Sequence, residues 1–328
     1  MRFIPLIEKK EVENNKDNLA DYLWKPILDV LGYVPKNIYF APSGLLYQIP
    51  IESHKLSDGR YMCDAFNMYR MSSTRWLCID SKNANSLEAV IYGGIQYDEL
   101  TDLTNTSSLT ENLRGNRESS SSLPYLPATF TEAQTINNLI DQHPFTKCTL
   151  ITGNTASEKS FKQLSGRKTQ LIHVATHGVF EKREEKYSDI LSMYGLCFTG
   201  ANSVLNGDFF DSSIDGILTA KEISDMDLNG LELIVLSACE TGLGNISYDG
   251  VLGLQRGLKK AGANAILMSL WKVDDEATCL LMTEFYKNWV RGMKKTDALE
   301  KAKKTIRDYP NWNNPRYWSA FILLDGLN

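Results

Sequence analysis

Two short polar segments of the sequence carry the side chains best suited to covalent chemistry. One contains Thr176-His177-Gly178 and the other contains Ser237-Ala238-Cys239-Glu240. A histidine next to a cysteine can take the thiol proton, after which the thiolate attacks a carbonyl carbon and the imidazolium protonates the leaving amine. A free thiol has a pKa of about 8.5 and is mostly protonated at neutral pH, so the cysteine needs such a partner. His177 and Cys239 are therefore the candidate base and nucleophile.

The same two segments offer backbone donors for the oxyanion that such a reaction creates. Gly178 has no side chain to shield its N–H, and the N–H of Cys239 is expected to face the same point. Each donor of an oxyanion hole is worth about 3 to 4 kcal/mol in enzymes of this chemistry. Gly178 and Cys239 are accordingly the candidate oxyanion-hole residues.

Apolar runs that precede the two segments indicate how they are positioned. Six runs read as buried strands: 89–92, 148–153, 171–175, 233–236, 265–270 and 319–324. Helical patterns separate them, which predicts an α/β fold with a mostly parallel six-stranded central sheet flanked by helices. Reactive groups in such sheets gather beyond the carboxyl ends of the strands. His177 and Cys239 both follow a strand and lie 62 residues apart, the length of one crossover unit, so adjacent strands can bring them together.

Three Thr-x-x-Glu/Gln patterns are typical of helix N-termini. They begin at Thr131, Thr155 and Thr219, and each is expected to cap a helix between two strands. A stripe of Leu281, Phe285 and Trp289, spaced by four residues, predicts the buried face of a later helix.

The chain divides by pattern into two parts. Residues 1–86 combine a helix near 19–31 with short strand-like pieces at 37–40, 46–51 and 67–71, and we interpret them as an N-terminal α+β subdomain packed on the main sheet. Residues 87–328 hold the six strands and form the expected catalytic domain. Within it, ten of the 22 residues from 101 to 122 are Ser or Thr. That composition predicts a mobile surface loop, either a tolerated insertion or a regulatory or proteolytic loop.

Composition excludes several classes of function. The 328 residues carry a formal net charge of −5, so there is no general basic field for nucleic acid or an anionic membrane. No apolar run approaches the ~20 residues of a transmembrane helix, and the N-terminus lacks a signal-peptide core. The six cysteines include no Cys-x-x-Cys pair and are spread through a chain too large to need disulfides. We therefore expect reduced thiols in a cytoplasmic protein.

Metal and phosphate sites fit these residues poorly. His173 and His177 are four apart, but on a strand that spacing separates them by about 13 Å, too far to share a zinc ion. His173 is then a packed strand histidine behind the site. Gly242-Leu243-Gly244 before a helix is a weak phosphate-loop signal, because the third glycine is missing. Five cysteines fit inert packing positions, and by position alone Cys239 fits either packing or chemistry. The five are Cys63, Cys78, Cys148, Cys197 and Cys279.

Several longer segments resemble the CHAT family of the caspase and separase peptidases. The two signatures are His173-Val-Ala-Thr-His177-Gly178 and Leu236-Ser-Ala-Cys239-Glu-Thr-Gly242. Further matching segments are 43–52, 215–223, 250–256, 268–278 and 317–321, so the resemblance covers nearly the whole chain. It implies a caspase-like three-layer fold, His177 as base, Cys239 as nucleophile, Gly178 as an oxyanion donor, and neither metal nor cofactor.

The resemblance also implies a location for the substrate pocket. In caspase and separase relatives the strand after the nucleophile helps to form the pocket for the residue before the scissile bond, which corresponds to Trp271–Asp275 here. Asp274 and Asp275 would then face a basic substrate side chain. They would alternatively cap the helix that starts there, a frequent role of Asp. Lys272 beside them weakens a simple cationic preference.

The implied function is that of a cysteine endopeptidase acting on a specific protein substrate. CHAT domains commonly follow helical repeats that sense a partner, so a separate activating protein, or a repeat region of a longer chain, is expected to switch on a latent enzyme. Bacterial defence or regulated cell death is the implied setting. The alternative is a catalytically silent scaffold or partner-binding module, although such a protein would be expected to have lost His177 or Cys239.

Overall fold

The computed structural model of the chain describes residues 19–78, 87–98, 122–142, 146–180, 190–207, 214–237 and 248–327. Within these ranges the strands are β1 (Asn37–Phe40), β2 (Asn67–Arg70), β3 (Leu87–Ile95), β4 (Thr146–Gly153), β5 (Leu171–Val174), β6 (Gly178–Phe180), β7 (Tyr194–Cys197), β8 (Ile217–Thr219), β9 (Leu233–Leu236), β10 (Ala265–Ser269) and β11 (Phe321–Leu324). Eight of them form one sheet in the spatial order β1-β2-β11-β10-β9-β5-β3-β4, and β6, β7 and β8 form a second sheet.

The large sheet is parallel except where β11 runs antiparallel to β10. All six apolar runs expected to form strands do so, which confirms the mostly parallel α/β sheet. The sheet has eight strands rather than six because β1 and β2, from the N-terminal residues, extend it beyond β11. The join is short, with Leu324 pairing with Arg70.

Helices lie between the strands. In the described ranges they are α1 (Leu19–Leu31), α2 (Met62–Ala65), α3 (Pro127–Asp141), α4 (Glu158–Lys162), α5 (Ala201–Leu205), α6 (Ala220–Ser224), α7 (Tyr248–Ala261), α8 (Asp275–Trp289), α9 (Lys295–Arg307) and α10 (Pro315–Trp318). Of the helices in these ranges, none has the length and apolarity required to span a bilayer.

The central strands are buried on both faces because successive side chains point to opposite sides of the sheet. One buried cluster takes alternate strand residues together with residues of α4, α6 and α7; it includes Ile172, Ile234, Ile266, Phe161, Ile223 and Leu258. The other cluster takes the intervening strand residues together with α3, α8 and α9; it includes Leu171, Val235, Leu267, Ile136, Leu281 and Leu299. The result is a helix–sheet–helix arrangement of three layers.

One of the three expected helix caps is confirmed. Thr219 accepts a hydrogen bond from the N–H of Glu222, whose carboxylate accepts one from the N–H of Thr219, at the start of α6. The other two expectations are wrong. Helix α3 begins at Pro127, four residues before Thr131, because proline suits the first helical position and needs no N–H partner there. At α4 the cap is Ser157 rather than Thr155.

Residues 46–51 are not the strand that their apolar character suggests. They lie in two short 3₁₀ turns, Gly44–Gln48 and Ile51–Ser53. The Arg70 guanidinium donates to the Ile49 carbonyl at 2.6 Å and to the Glu52 carboxylate at 2.8 Å. These bonds hold the segment against β2 in a turn conformation, and the Ile49 carbonyl is then not available for pairing with a strand.

Candidate active site

Three neighbouring strands deliver polar side chains to one edge of the sheet. Val174 of β5 pairs with Leu236 of β9, which in turn pairs with Met268 of β10. His177, Ser237 and Ser269 therefore follow or end these strands at the same edge. It is the carboxyl edge of the parallel sheet, where the sequence predicts the reactive side chains.

His177 is 1% exposed and its ring is held from two sides. Its Nε2 lies 2.8 Å from the Pro124 carbonyl oxygen, and its ring centroid lies 5.0 Å from that of Tyr97. A carbonyl oxygen only accepts hydrogen bonds, so Nε2 must carry the donated proton. In the neutral ring Nδ1 then has the lone pair, and it is the nitrogen able to act as a base.

A buried hydroxyl chain fixes the backbone just before His177. The Thr176 hydroxyl donates to the Cys197 carbonyl at 2.5 Å and lies 3.0 Å from the Tyr97 hydroxyl. Since the Thr176 proton is used, Tyr97 is the donor in the second bond. Burial raises the pKa of Tyr97, so its hydroxyl remains protonated. Strand β7 is thereby tied to the end of β5.

Gly178 is the first residue of β6, and its pairing with β7 determines whether its N–H is available to bind an oxyanion. It lies opposite Leu196 of β7, and the N–H of Cys197 donates to the His177 carbonyl at 2.9 Å. His177 and Cys197 therefore form a hydrogen-bonded pair of the antiparallel ladder, and the next pair, Gly178 and Leu196, is a non-hydrogen-bonded one. The N–H of Gly178 is therefore not used in the ladder with β7.

A small cavity of about 30 Å³ opens between His177 and the start of α8. By volume it holds one or two water molecules. Its polar lining comes from strand ends and from two helices: Thr129, Glu132, Thr176, His177, Ser237, Ser269, Lys272, Asp275 and Thr278. Leu126, Ala128, Val273 and Phe321 complete it. Among the described residues, the lining thus includes the carboxylates of Glu132 and Asp275 and the ammonium group of Lys272.

Glu132 connects this cavity to a buried polar cluster. It is 1% exposed, and its Oε1 lies 3.0 Å from His173 Nε2. The other ring nitrogen of His173 lies 3.2 Å from the Tyr286 hydroxyl on α8. Burial raises the pKa of Tyr286 well above its usual value, with the Glu132 charge as a further cause. His173 is therefore a packed strand histidine behind the site, as its position in the sequence suggested.

The three residues predicted for the substrate pocket have different surroundings. Asp275 lines the cavity. The Asp274 carboxylate accepts hydrogen bonds from the N–H groups of Glu276 and Ala277, so it caps α8. Trp271 donates its indole N–H to the Arg316 carbonyl at 2.9 Å. Among the described residues, the lining of the cavity includes neither Asp274 nor Trp271.

Cys239 lies outside the described residues, as do Gly242–Gly244 and most of the Ser/Thr-rich segment 101–122. The cysteines that are described are free thiols. Burial raises the pKa of Cys148 to about 12 and that of Cys279 to about 11, and it also raises the pKa of Cys63. Over the described part of the chain, no group of three or more His, Cys, Asp and Glu side chains is arranged to hold a metal ion.

Three contributors to the site are not among the residues predicted from the sequence. The Pro124 carbonyl is a backbone group and leaves no residue-type signal. Glu132 follows the Thr131 of an expected helix cap, yet it shares the α3 face of Thr129, Ala133 and Ile136, and helical spacing predicts this buried position. The Asn202 side chain accepts a hydrogen bond from the backbone N–H of Leu123, next to Pro124, although Asn202 and Leu123 are 79 positions apart in the sequence.

Comparison with known proteins gives a family match over most of the chain and partial matches to two relatives. Residues 15–326 match the model of the CHAT domain. Human tetratricopeptide repeat protein 28 is 32% identical over 108 residues, which cover 33% of this chain and 4% of that protein. The chain thus matches only a small part of this relative's length.

Solved structures with low sequence identity share the fold. The Arg-specific cysteine proteinase gingipain R superposes with a TM-score of 0.57 at 10% identity, covering 97% of this chain and 68% of that one. The complex of the pro- and mature domains of RgpB from Porphyromonas gingivalis gives 0.51 at 12% identity, covering 97% and 77%. The three-layer architecture is therefore that of the caspase-like cysteine peptidases.

Proposed function

The chain belongs to the CHAT domain family, and we propose that it is a cysteine endopeptidase in which His177 is the base and Cys239 the nucleophile. The observation that carries the proposal is the register of β5 and β9. Val174 pairs with Leu236 in parallel strands, and His177 and Cys239 each follow their paired residue by three positions. Two chains that leave one sheet edge side by side bring such positions within reach of each other.

His177 suits the role of base because of its hydrogen bond to Pro124. With the Nε2 proton donated to the carbonyl, Nδ1 takes the thiol proton of Cys239. The thiolate attacks the scissile carbonyl, and the imidazolium returns the proton to the leaving amine. Gly178 and Cys239 N–H groups stabilise the tetrahedral oxyanion, a role that the ladder geometry of Gly178 supports.

We propose that the side chain that precedes the scissile bond is basic and that its charged end group enters the cavity beside His177, displacing the one or two water molecules that the cavity holds by volume. Of the charged side chains that the structure describes around the cavity, Glu132 and Asp275 are acidic and Lys272 is basic. The Arg specificity named for gingipain R is a property of that enzyme. For this chain the support is the excess of carboxylates around the cavity.

A protein substrate and an activating partner complete the proposal. The related human protein carries tetratricopeptide repeats, as its name states. A repeat region of this kind, in the same chain or in another, would hold the peptidase latent until a signal arrives. Regulated death or bacterial defence is the setting we propose for that switch.

The test is to incubate the chain with a proteome-derived peptide library and to sequence the new N-termini. Cys239→Ala and His177→Ala are expected to remove the new termini, whereas the matched control Cys148→Ala is expected to keep them. Cleavage that survives both dyad substitutions would exclude the mechanism. A complete absence of cleavage, even with candidate activators present, would favour the silent scaffold.

The pocket assignment makes a separate prediction about two adjacent aspartates. Asp275→Asn is expected to lower kcat/KM for substrates with Lys or Arg before the cut by about tenfold, or about 1.4 kcal/mol. Asp274→Asn removes the same charge but keeps a good helix cap, so it is expected to leave kcat/KM unchanged. Equal effects of the two variants would show that the charge acts at long range and not in the pocket.

A further inference from the structure

Asn202, which no expectation from the sequence singled out, makes a full set of hydrogen bonds beside the site. It lies in α5, is 2% exposed, and bonds through its side chain to both Asp98 and Leu123. Its Nδ2 donates to Asp98 Oδ1 at 2.6 Å and to the Leu123 carbonyl at 3.1 Å. Its Oδ1 accepts from the Leu123 N–H at 2.7 Å. Both amide protons and the amide oxygen are in use.

The residue bound by this amide is adjacent to the one that orients the base. Leu123 precedes Pro124, whose carbonyl oxygen lies 2.8 Å from His177 Nε2. The backbone N–H of Asn202 also donates to the Tyr97 carbonyl at 3.0 Å, and the Tyr97 ring packs against the imidazole. These two contacts to the His177 ring are thus both anchored on Asn202.

We propose that Asn202 is a positioning residue that fixes the Pro124 carbonyl and thereby keeps the proton of neutral His177 on Nε2. This inference rests on the proposed function, since the selected tautomer is the one that presents Nδ1 to the nucleophile. Asn202 touches neither substrate nor nucleophile in this role. It acts through Leu123, Pro124 and His177 in turn.

The amide of asparagine is needed because it donates and accepts at once. Aspartate at this position would keep the acceptor for the Leu123 N–H but lose both donors, and it would place a carboxylate against Asp98. Alanine would leave the Leu123 N–H and carbonyl without their partner. In either variant the 123–124 backbone is released and the Pro124 carbonyl no longer has one position relative to His177.

The experiment compares Asn202→Asp and Asn202→Ala with Asn206→Ala, an exposed asparagine just after the same helix. The chain has four histidines, so nitrogen-15 NMR of the imidazole rings is tractable, and His177→Ala identifies the signals of His177. The wild type and Asn206→Ala are expected to show the proton on Nε2. Both Asn202 variants are expected to show a mixture of the two tautomers.

The values of kcat and KM are measured with a peptide from the library that the wild-type chain cleaves. Both Asn202 variants are expected to lower kcat by about tenfold to a hundredfold with little change in KM, because misplacing a catalytic group by about 1 Å has effects of that size. Asn206→Ala is expected to match the wild type. A role confined to folding would lower the melting temperature and leave the tautomer unchanged.

The outcomes separate this inference from the proposed function. A His177 tautomer that is the same in the folded Asn202→Asp variant and in the wild type overturns the positioning role. A shifted tautomer in a chain that shows no Cys239-dependent cleavage supports the positioning role and counts against the peptidase. Should Asn202→Ala fail to fold, the nearly isosteric Asn202→Asp decides the question.

Discussion

Burial sets the reactivity of the described cysteines. A thiolate is unfavourable where water is excluded and no cation is near, so burial raises the thiol pKa. The pKa of Cys148 is raised to about 12 and that of Cys279 to about 11. These thiols suit packing, which is the role that their sequence positions indicated. Cys239, between polar neighbours and beyond the apolar run, differs from them in its sequence surroundings.

The raised values predict a pH dependence of alkylation. At pH 8 a thiol with a pKa of about 12 is ionised at about one part in ten thousand, and its thiolate fraction rises about tenfold per pH unit. Iodoacetamide is therefore expected to modify Cys148 and Cys279 slowly at pH 8 and about a hundredfold faster at pH 10. Exposed Cys78 serves as the internal reference in the same peptide maps. Modification of Cys148 as fast as that of Cys78 at pH 8 would contradict the assignment.

At the scale of elements, the Thr-x-x-Glu/Gln pattern marks the start of a helix at one position and lies inside a helix at another. Thr219 caps α6 through its own hydroxyl and the Glu222 carboxylate. Thr131 has the same pattern but lies inside α3, which begins at Pro127. The sequence therefore specifies that a helix is present more reliably than where it begins.

The different roles of Thr219 and Thr131 can be tested by replacing each of them with alanine. Thr219→Ala is expected to lower the free energy of unfolding by about 1 kcal/mol, because the cap hydrogen bond is lost. Thr131→Ala is expected to leave it unchanged or to raise it slightly, because Ala has the higher helix propensity. Urea unfolding of both variants checks the pair. Equal destabilisation would contradict the observed start of α3.

The strand ends were predictable because all six apolar runs form the sheet and its carboxyl edge follows from the parallel order. The orientation of the His177 ring was only partly predictable from the sequence. His177 depends on the Pro124 carbonyl, 53 residues away in sequence, and that carbonyl depends on Asn202 a further 79 residues from Leu123. Backbone acceptors and long-range side-chain bonds leave no periodic pattern, so only the structure reveals them.

At the scale of the whole molecule, a buried ion pair joins the Ile51–Ser53 turn to strand β2, through which the N-terminal residues enter the sheet. The Arg70 and Glu52 side chains are 1% and 8% exposed and lie 2.8 Å apart. Burial raises the pKa of Glu52, but the charge and hydrogen bonds of Arg70, together with the charge of Lys303 and a backbone hydrogen bond, lower it by more, so the net pKa is below the usual value. Nearby, Asp325 accepts from the N–H and hydroxyl of Ser72, which links the N-terminal segment to the end of β11.

Breaking this pair is expected to be costly. Glu52→Gln leaves the Arg70 charge buried and unpaired, which is expected to lower the free energy of unfolding by about 3 to 5 kcal/mol at pH 7. Asp58→Asn, at an exposed pair with Arg60, is the control and is expected to have no measurable effect. Chemical denaturation of the two variants at pH 7 makes the comparison.

The lowered pKa of Glu52 also fixes the sign of the pH dependence. A carboxyl with a depressed pKa contributes stability above its unfolded-state value, about 4.3, and loses it as the pH falls through the folded-state value. The gap in stability between wild type and Glu52→Gln is therefore expected to shrink as the pH falls below about 4. A gap that widens on acidification would contradict the ion-pair account.

The most direct test of the central claim is covalent capture of Cys239. A peptide acyloxymethyl ketone with lysine next to the reactive group requires an activated thiolate but no natural substrate. Peptide mapping is expected to find the adduct on Cys239, to lose it in Cys239→Ala, and to find it reduced at least about tenfold in His177→Ala. Labelling of Cys239 that is no faster than that of Cys148, or that is unaffected by His177→Ala, would contradict a His177–Cys239 dyad.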